Sequence, residues 1–157
     1  ATSATINFDN TVITSTYDLY AVVIHNCKPV SDADLELLVS PDNGTTIRST
    51  GYDASAFKMA STSAVADTTS IILSADSLGG ATGEGLYTAI IYIANPSYAG
   101  IKTTASGWQG YHDSGGGMES GTFHGMYDTV EVTDYIRFQM STGNVETGEF
   151  MVYGVSG

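Results

Sequence analysis

Three histidines are the first residues of this chain that could do chemistry. His25 lies in an apolar stretch, and His112 and His124 are a dozen residues apart, with no close His-x-His or His-x-x-x-His pair. A zinc site needs ligands that converge on one point, and this spacing does not predict one. His112-Asp113-Ser114 contains the three residue types of a hydrolytic triad, but adjacent residues cannot converge as a triad requires. We therefore expect ordinary strand or loop histidines and no nucleophilic enzyme.

The seventeen acidic residues offer two further kinds of site. Glu36, together with Glu131 and Asp134, is the only pairing that suggests the acid and base of a glycosidase, and the sequence does not give the carboxyl separation that such a site requires. Solvated carboxylates are the simpler interpretation. No cofactor is expected, with calcium alone left open, because four oxygen-bearing side chains cluster in two predicted loops. These are Asp32, Asp34, Asp42 and Asn43.

The charge balance excludes several classes of partner. Five Lys and Arg residues against seventeen Asp and Glu residues give a formal net charge of −12. Nucleic acids would be repelled, because their affinity for proteins rests on cationic neutralisation of phosphates. An anionic membrane surface is excluded for the same reason, and no apolar run reaches the ~20 residues of a membrane span. The single Cys27 cannot form an internal disulfide, and we expect it to be a small buried hydrophobe on a strand.

Short β-type segments account for most of the chain. Tyr17–Asn26 and Leu86–Ala94 are rich in aromatic and β-branched residues, which is typical of strands. Eight to ten such segments are separated by glycine and turn residues, and no segment has helical periodicity. This pattern predicts one all-β domain over residues 1–157, an antiparallel two-sheet β-sandwich of jelly-roll type.

The last segment of the chain predicts how the sheet closes. Ile136, Phe138 and Met140 alternate with polar residues, as expected for a strand with one buried face, and Phe150 begins a second apolar segment. Ser141–Gly148 lies between them and contains residues that tolerate a positive φ. We expect a C-terminal hairpin.

Aromatic residues around a glycine-rich segment are the candidate interaction site. Gly107–Gly117 has the glycine density of an exposed loop, and aromatic side chains on such loops suit contact with proteins or carbohydrates. The alternative is that these rings cover the ends of the sandwich as part of its core. The candidate residues are Tyr98, Trp108, Tyr111, His112 and Tyr127.

Three segments together resemble a family of small β-sandwich virion proteins of tailed bacteriophages, frequent in phages of marine bacteria. The most specific is the C-terminal segment, in which Ile136-Arg137-Phe138 precedes Gly143-Asn144-Val145 and Val152-Tyr153-Gly154. The other two are Phe8 with Thr16-Tyr17-Asp18-Leu19-Tyr20, and Leu35-x-Leu37 with Ser40-Pro41-Asp42-Asn43-Gly44.

The resemblance implies a non-enzymatic structural role on the virion surface and no catalytic residues. The expected function is that of a capsid decoration (cement) protein that stabilises the head shell; the alternative is a tail fibre or receptor-binding domain that recognises a host glycan or protein. The implied partners are the major capsid protein or other virion proteins, and we expect homo-oligomers, with trimers first. The chain starts almost directly at the first strand, which favours decoration. A free carbohydrate-binding or hydrolytic module is a third class, which requires glycan affinity in the isolated domain.

Overall fold

The computed structural model describes residues 2–59 and 64–156, and the described residues form an all-β protein. No helix in this part of the chain is long and apolar enough to cross a membrane. The strands are β1 (Thr5–Phe8), β2 (Leu19–Pro29), β3 (Leu35–Ser40), β4 (Tyr52–Lys58), β5 (Ala64–Asp67), β6 (Ile71–Ile72), β7 (Tyr87–Ala94), β8 (Thr104–His112), β9 (Met118–Tyr127), β10 (Tyr135–Met140) and β11 (Val145–Val155).

Two antiparallel sheets make up the structure, so the predicted antiparallel β-sandwich is confirmed. The smaller sheet has the strand order β1-β10-β3-β6, and the larger has the order β11-β2-β7-β8-β9-β4-β5. Successive strands alternate between the two sheets except within the β4–β5 hairpin and the β7–β8–β9 meander. This alternation is that of a jelly roll. The β7–β8–β9 meander occupies the place of one strand of a jelly roll, and β11 is an additional strand at an edge of the larger sheet.

The core lies between the sheets because each strand turns every second residue inward. Phe138 on β10 packs edge-on against Phe8, with ring centroids 6.3 Å apart. The main core side chains contributed by the two sheets include Tyr20, Val22, Ile24, Leu35, Leu37, Ile91, Ile93, Phe123, Ile136 and Phe138. Cys27 is also buried, as predicted, and burial raises the pKa of its thiol to about 12. The thiol is therefore held in its neutral, unreactive form.

The expected C-terminal hairpin is wrong. Strands β10 and β11 are not paired: β10 lies between β1 and β3 in the smaller sheet, and β11 pairs with β2 in the larger. The loop between them carries the chain from one sheet to the other. The physical reason is that both strands have an apolar face, and stacking the two faces brings Phe138 against Phe150, with ring centroids 5.3 Å apart. A hairpin within one sheet could not stack these rings across the core.

Candidate interaction surface

The outward faces of the two sheets differ in chemistry. On the smaller sheet the exposed outward side chains are polar and bonded to one another, while Leu38 and Ile72, which share this face by register, are buried. Arg137 donates a hydrogen bond from Nε to Oδ1 of Asn7 at 3.1 Å, and Gln139 donates from Nε2 to Glu36 at 3.1 Å. Burial among its neighbours raises the pKa of Glu36. This face has the composition expected of a surface in contact with water.

The outward face of the larger sheet is mostly apolar, and we call the three residue rows that cross its strands the apolar face. The strand registers align the rows from β11 at one edge toward β5 at the other. The first row is Met151, Val23, Ile90, Trp108, Thr122, Phe57 and Ala64. The second is Tyr153, Ala21, Tyr92, Ser106, His124, Ser55 and Ala66. The third is Val155, Leu19, Ala94, Thr104, Met126 and Asp53.

Charged groups are nearly absent from these three rows. Asp53, at one end of the third row, is their one carboxylate, and the rows contain no Lys or Arg. The whole chain has seventeen acidic residues, so the acidic side chains are distributed over the rest of the surface. Such a separation is not needed for solubility, which an even distribution of charge would serve better.

Large apolar side chains in the rows are open to solvent. Tyr92 is 46% exposed, Trp108 is 48% exposed and Tyr153 is 52% exposed. With strands about 4.8 Å apart and rows about 6.8 Å apart, the apolar face measures roughly 30 Å by 20 Å, or about 600 Å². The rows include the polar side chains of Thr122, Ser106, His124, Ser55, Thr104 and Asp53, so the apolar patch itself is smaller than this rectangle. The largest apolar patch of a monomeric protein, about 300–600 Å², is often functional.

His124 lies in the second row, in contact with side chains of the neighbouring strand β4. Its ring stacks on Phe57 with centroids 5.7 Å apart, and its Nε2 is 3.2 Å from Oγ of Ser55. A shallow depression of about 290 Å³ lies beside it. The depression is lined by Asp53, Thr104, Ala105, Ser106, His124, Gly125 and Met126.

The five predicted interaction residues are not brought together. Trp108 lies in the first row of the apolar face, Tyr98 is exposed in the connection between β7 and β8, and His112 is at the end of β8, where its Nδ1 is 3.2 Å from the carbonyl oxygen of Gly83. Tyr111 and Tyr127 are buried, so assigning them to an exposed loop is wrong. Most of Gly107–Gly117 is strand rather than loop, and the period of two turns Tyr111 inward.

The buried tyrosines close the two ends of the core, which was the alternative interpretation of these rings. Tyr111 packs on Tyr87 with centroids 5.7 Å apart, and its hydroxyl accepts a hydrogen bond from the backbone N–H of Asp76. Tyr127 packs on Tyr52 at 5.3 Å, and the Tyr52 hydroxyl donates to the carbonyl of Arg48. Each ring fills the core while hydrogen bonds satisfy its neighbouring polar groups.

One group of acidic side chains has the spacing of a cation site, and a lysine already lies within it. Oxygens of Asp76, Asp113 and Glu119 lie within 4.8 Å of one another. The Lys58 ammonium pairs with Asp76 and is 3.5 Å from Glu119, and Asp113 accepts the backbone N–H groups of Gly115 and Gly117. Within the described residues this is the one such group; protein donors engage oxygens of all three carboxylates, and Oε2 of Glu119 is buried without a hydrogen-bond partner.

The residues expected to hold calcium do not share a site. Strand β3 separates Asp34 from Asp42, which places them at opposite ends of the smaller sheet. Asp42 accepts hydrogen bonds from Ser40 and from the backbone of Thr46, and these lower its pKa. The backbone N–H of Asn43 donates to Asp134, and Asp32 accepts from the backbone of Gly80. These side chains stabilise turns at two separate places.

The two other catalytic constellations weighed from the sequence do not converge either. Asp113 is bonded to its own turn and His112 contacts Gly83, so the triad types are not aligned. Glu36 lies opposite Gln139 on β10, whereas Asp134 adjoins Ser40 at the far end of β3. Four residues of strand, about 13 Å, separate these backbone positions.

Glu131 forms the clearest ion pair of the structure. Its carboxylate accepts two hydrogen bonds from Arg48, from Nε and Nη2, both at 2.8 Å. The Arg48 guanidinium therefore lowers the pKa of Glu131 below its ordinary value. The pair ties the loop after β3 to the loop after β9, and the Tyr52 hydroxyl donates to the backbone carbonyl of Arg48.

We expect Glu131→Gln to lower the free energy of unfolding by about 1 kcal/mol at pH 7, because the Arg48–Glu131 ion pair is bidentate and only partly exposed. A carboxyl pKa that is lowered in the folded state stabilises the protein above its unfolded value and loses that effect as the pH falls through the folded value. The difference between variant and wild type should therefore vanish at pH well below 4.5. Urea titrations at several pH values measure it. Glu149→Gln is the matched control, and an equal effect there would contradict the assignment.

One feature of the sequence could have indicated the apolar face. Strand β7 is an almost unbroken apolar run, in which Ile91 and Ile93 face the core while Ile90 and Tyr92 face outward. Unbroken apolar strands are typical of sheets covered on both faces. No second layer covers this face in the described chain.

The fold and surface define a class: an acidic, all-β sandwich that presents an open, mostly apolar sheet face with a single carboxylate, Asp53. No protein-family model and no curated protein matches the chain.

Proposed function

We propose that the chain is a non-enzymatic virion surface protein of a tailed bacteriophage that decorates the head and stabilises its shell. The single observation that carries this proposal is the apolar face, which leaves large aromatic side chains exposed on an otherwise acidic protein. The resemblance of three sequence segments to phage virion proteins supplies the biological setting. The partner is the major capsid protein or another protein of the shell.

The physical argument for a permanent protein contact rests on composition and size. Charged residues are depleted at the centre of interfaces, and Tyr, Trp and Met are enriched there; the rows contain Tyr92, Trp108 and Met151. The three rows together span about 600 Å², which approaches the ~800 Å² that each partner contributes to a standard interface. A bound shell would leave the polar smaller sheet in water, where Arg137 and Glu36 are already bonded to neighbours.

A receptor-binding tail fibre domain is the second candidate, and the depression beside His124 favours it. Its lining combines the apolar Met126 with the carboxylate of Asp53 and the hydroxyl groups of Thr104 and Ser106. Ligand sites combine apolar walls with a few polar groups that fix orientation. The depression is small and open, whereas the apolar face continues far beyond it, so head decoration is the function we favour.

The test is immunogold labelling of intact virions with an antibody against this protein. We expect gold over the whole head. Particles that lack the protein should then lose their DNA on heating at a lower temperature than complete particles, and adding back the purified protein should restore the difference. Gold confined to the tail, or no gold on any virion, would overturn head decoration. Tail labelling together with glycan binding by the purified protein would support the second candidate.

A further inference from the structure

The four edge strands of the two sheets differ greatly in length. In the described residues, β1 and β5 each have four residues and β6 has two, whereas β11 has eleven. Edge strands expose unpaired N–H and C=O groups that attract other strands, and proteins that remain monomeric shorten or block them. Three edges of this sandwich are short. The fourth is not.

Strand β11 is protected at one end and open at the other. At Val145 the N-terminal segment covers it, through two backbone hydrogen bonds of 2.9 Å with Ser3. Irregular pairing with β2 follows as far as Glu149. From Glu149 to Val155 the pairing with β2 is regular, and no other strand of the described chain pairs with this stretch. The stretch contains neither Pro nor Lys, the residues that usually block an edge.

The absence of charged side chains also favours this stretch as a contact between two copies of the protein. Phe150–Val155 contains no ionisable group except the hydroxyl of Tyr153, although the chain as a whole has a net charge of −12. Two copies of so acidic a protein repel each other least where carboxylates are absent. In an antiparallel pair centred on Val152, the Glu149 side chains of the two copies would be six residue positions apart, about 20 Å.

We propose that β11 pairs with β11 of a second copy of this chain, antiparallel across a two-fold axis at Val152. In this register Met151 of one copy lies opposite Tyr153 of the other, and Phe150 lies opposite Gly154. Paired strands are stabilised by such cross-strand neighbours. The two larger sheets would become one sheet of fourteen strands, and their apolar faces would join. This inference does not rest on the proposed function, and a dimer replaces the expected trimer.

A matched pair of substitutions separates edge pairing from stacking of the two faces. Tyr153 and Tyr92 lie in the same row of the apolar face with similar exposure, 52% and 46%. Tyr153 is on the edge strand, whereas Tyr92 is on β7, two strands further in. Edge pairing would place Tyr153, but not Tyr92, in the contact between the two copies. A lysine at either place makes the chain less acidic, so a loss of association would not reflect greater net repulsion.

Sedimentation velocity of the wild type, Tyr153→Lys and Tyr92→Lys from about 1 to about 100 µM tests the proposal. We expect a reversible wild-type dimer, unchanged self-association in Tyr92→Lys, and self-association at least tenfold weaker in Tyr153→Lys. Circular dichroism should show that all three are folded. Amide hydrogen exchange of the wild type should show protection of residues 149–155 that increases with concentration.

Three results would overturn edge pairing. A wild-type protein that stays monomeric over this range would exclude it, and so would a trimer as the assembled species. Equal weakening by Tyr92→Lys and Tyr153→Lys would show that the faces stack instead. None of these results bears on where gold labels the virion, so this proposal and the proposed function fail independently.

Discussion

Lysine at both Tyr92 and Trp108 is expected to abolish attachment of the protein to phage heads from which it has been removed. The two rings lie in adjacent rows of the apolar face, on the neighbouring strands β7 and β8, and each is nearly half exposed. Attachment through this face would bury both positions. A buried ammonium group without a partner costs several kcal/mol, so two of them should weaken binding at least about a hundredfold.

The measurement is the amount of protein that sediments with stripped heads over a range of concentrations. Asn7→Lys with Gln139→Lys is the matched control, because it adds two lysines to the polar outward face of the smaller sheet, where Gln139 already lies beside Glu36. We expect the control to bind as the wild type does. If both double variants bind normally, the apolar face is not the attachment surface. If both fail, charge rather than the face determines attachment.

Replacing Gly107 by alanine should destabilise the protein by about 3 kcal/mol, the upper part of the usual range for overpacking. A Cβ at this position would lie 2.2 Å from the carbonyl oxygen of Ile90 and 2.7 Å from the ring of Phe123. The first atom belongs to the backbone of the paired strand β7, so relief requires the strands to separate. Urea or thermal unfolding measures the loss.

Gly110→Ala is the control for this prediction, since it makes the same change three residues later on β8. The nearest atom to its added Cβ would be the carbonyl oxygen of Glu119 at 3.8 Å, an ordinary contact. We expect a change within about 0.5 kcal/mol, because the added Cβ at this half-buried position meets no close contact. Equal destabilisation by the two alanines would show that glycine matters on β8 for its backbone freedom and not for space.

The sandwich was predictable because its strands have strong local signals. The segments that became β2, β7 and β10 combine β-branched and aromatic residues with turn residues at their ends, and these properties act over a few neighbouring residues. The alternation of Ile136, Phe138 and Met140 gave the buried face of β10 correctly. Such signals do not depend on which strands later become neighbours.

The pairing of strands and the site were not predictable in the same way. The hairpin prediction failed because Phe138 stacks on Phe150 across the core. This is a contact between sheets, and local turn signals contain no information about it. The glycines of β8 indicated a loop because the sequence does not show that Gly107 faces the ring of Phe123. Because this segment was predicted to be a loop, Tyr111 was wrongly assigned to the surface. Only the register of the sheet aligns Tyr92, Trp108 and Tyr153 on one face.

The placement of the carboxylates has a consequence for the ionic strength at which a coat of this protein would hold. A contact through rows whose one carboxylate is Asp53 contains few ion pairs for dissolved salt to weaken. Neighbouring copies, each with a net charge of −12, repel one another through water, and salt screens that repulsion over shorter distances. Concentrated brine would therefore tighten the coat, whereas dilution into fresh water would loosen it.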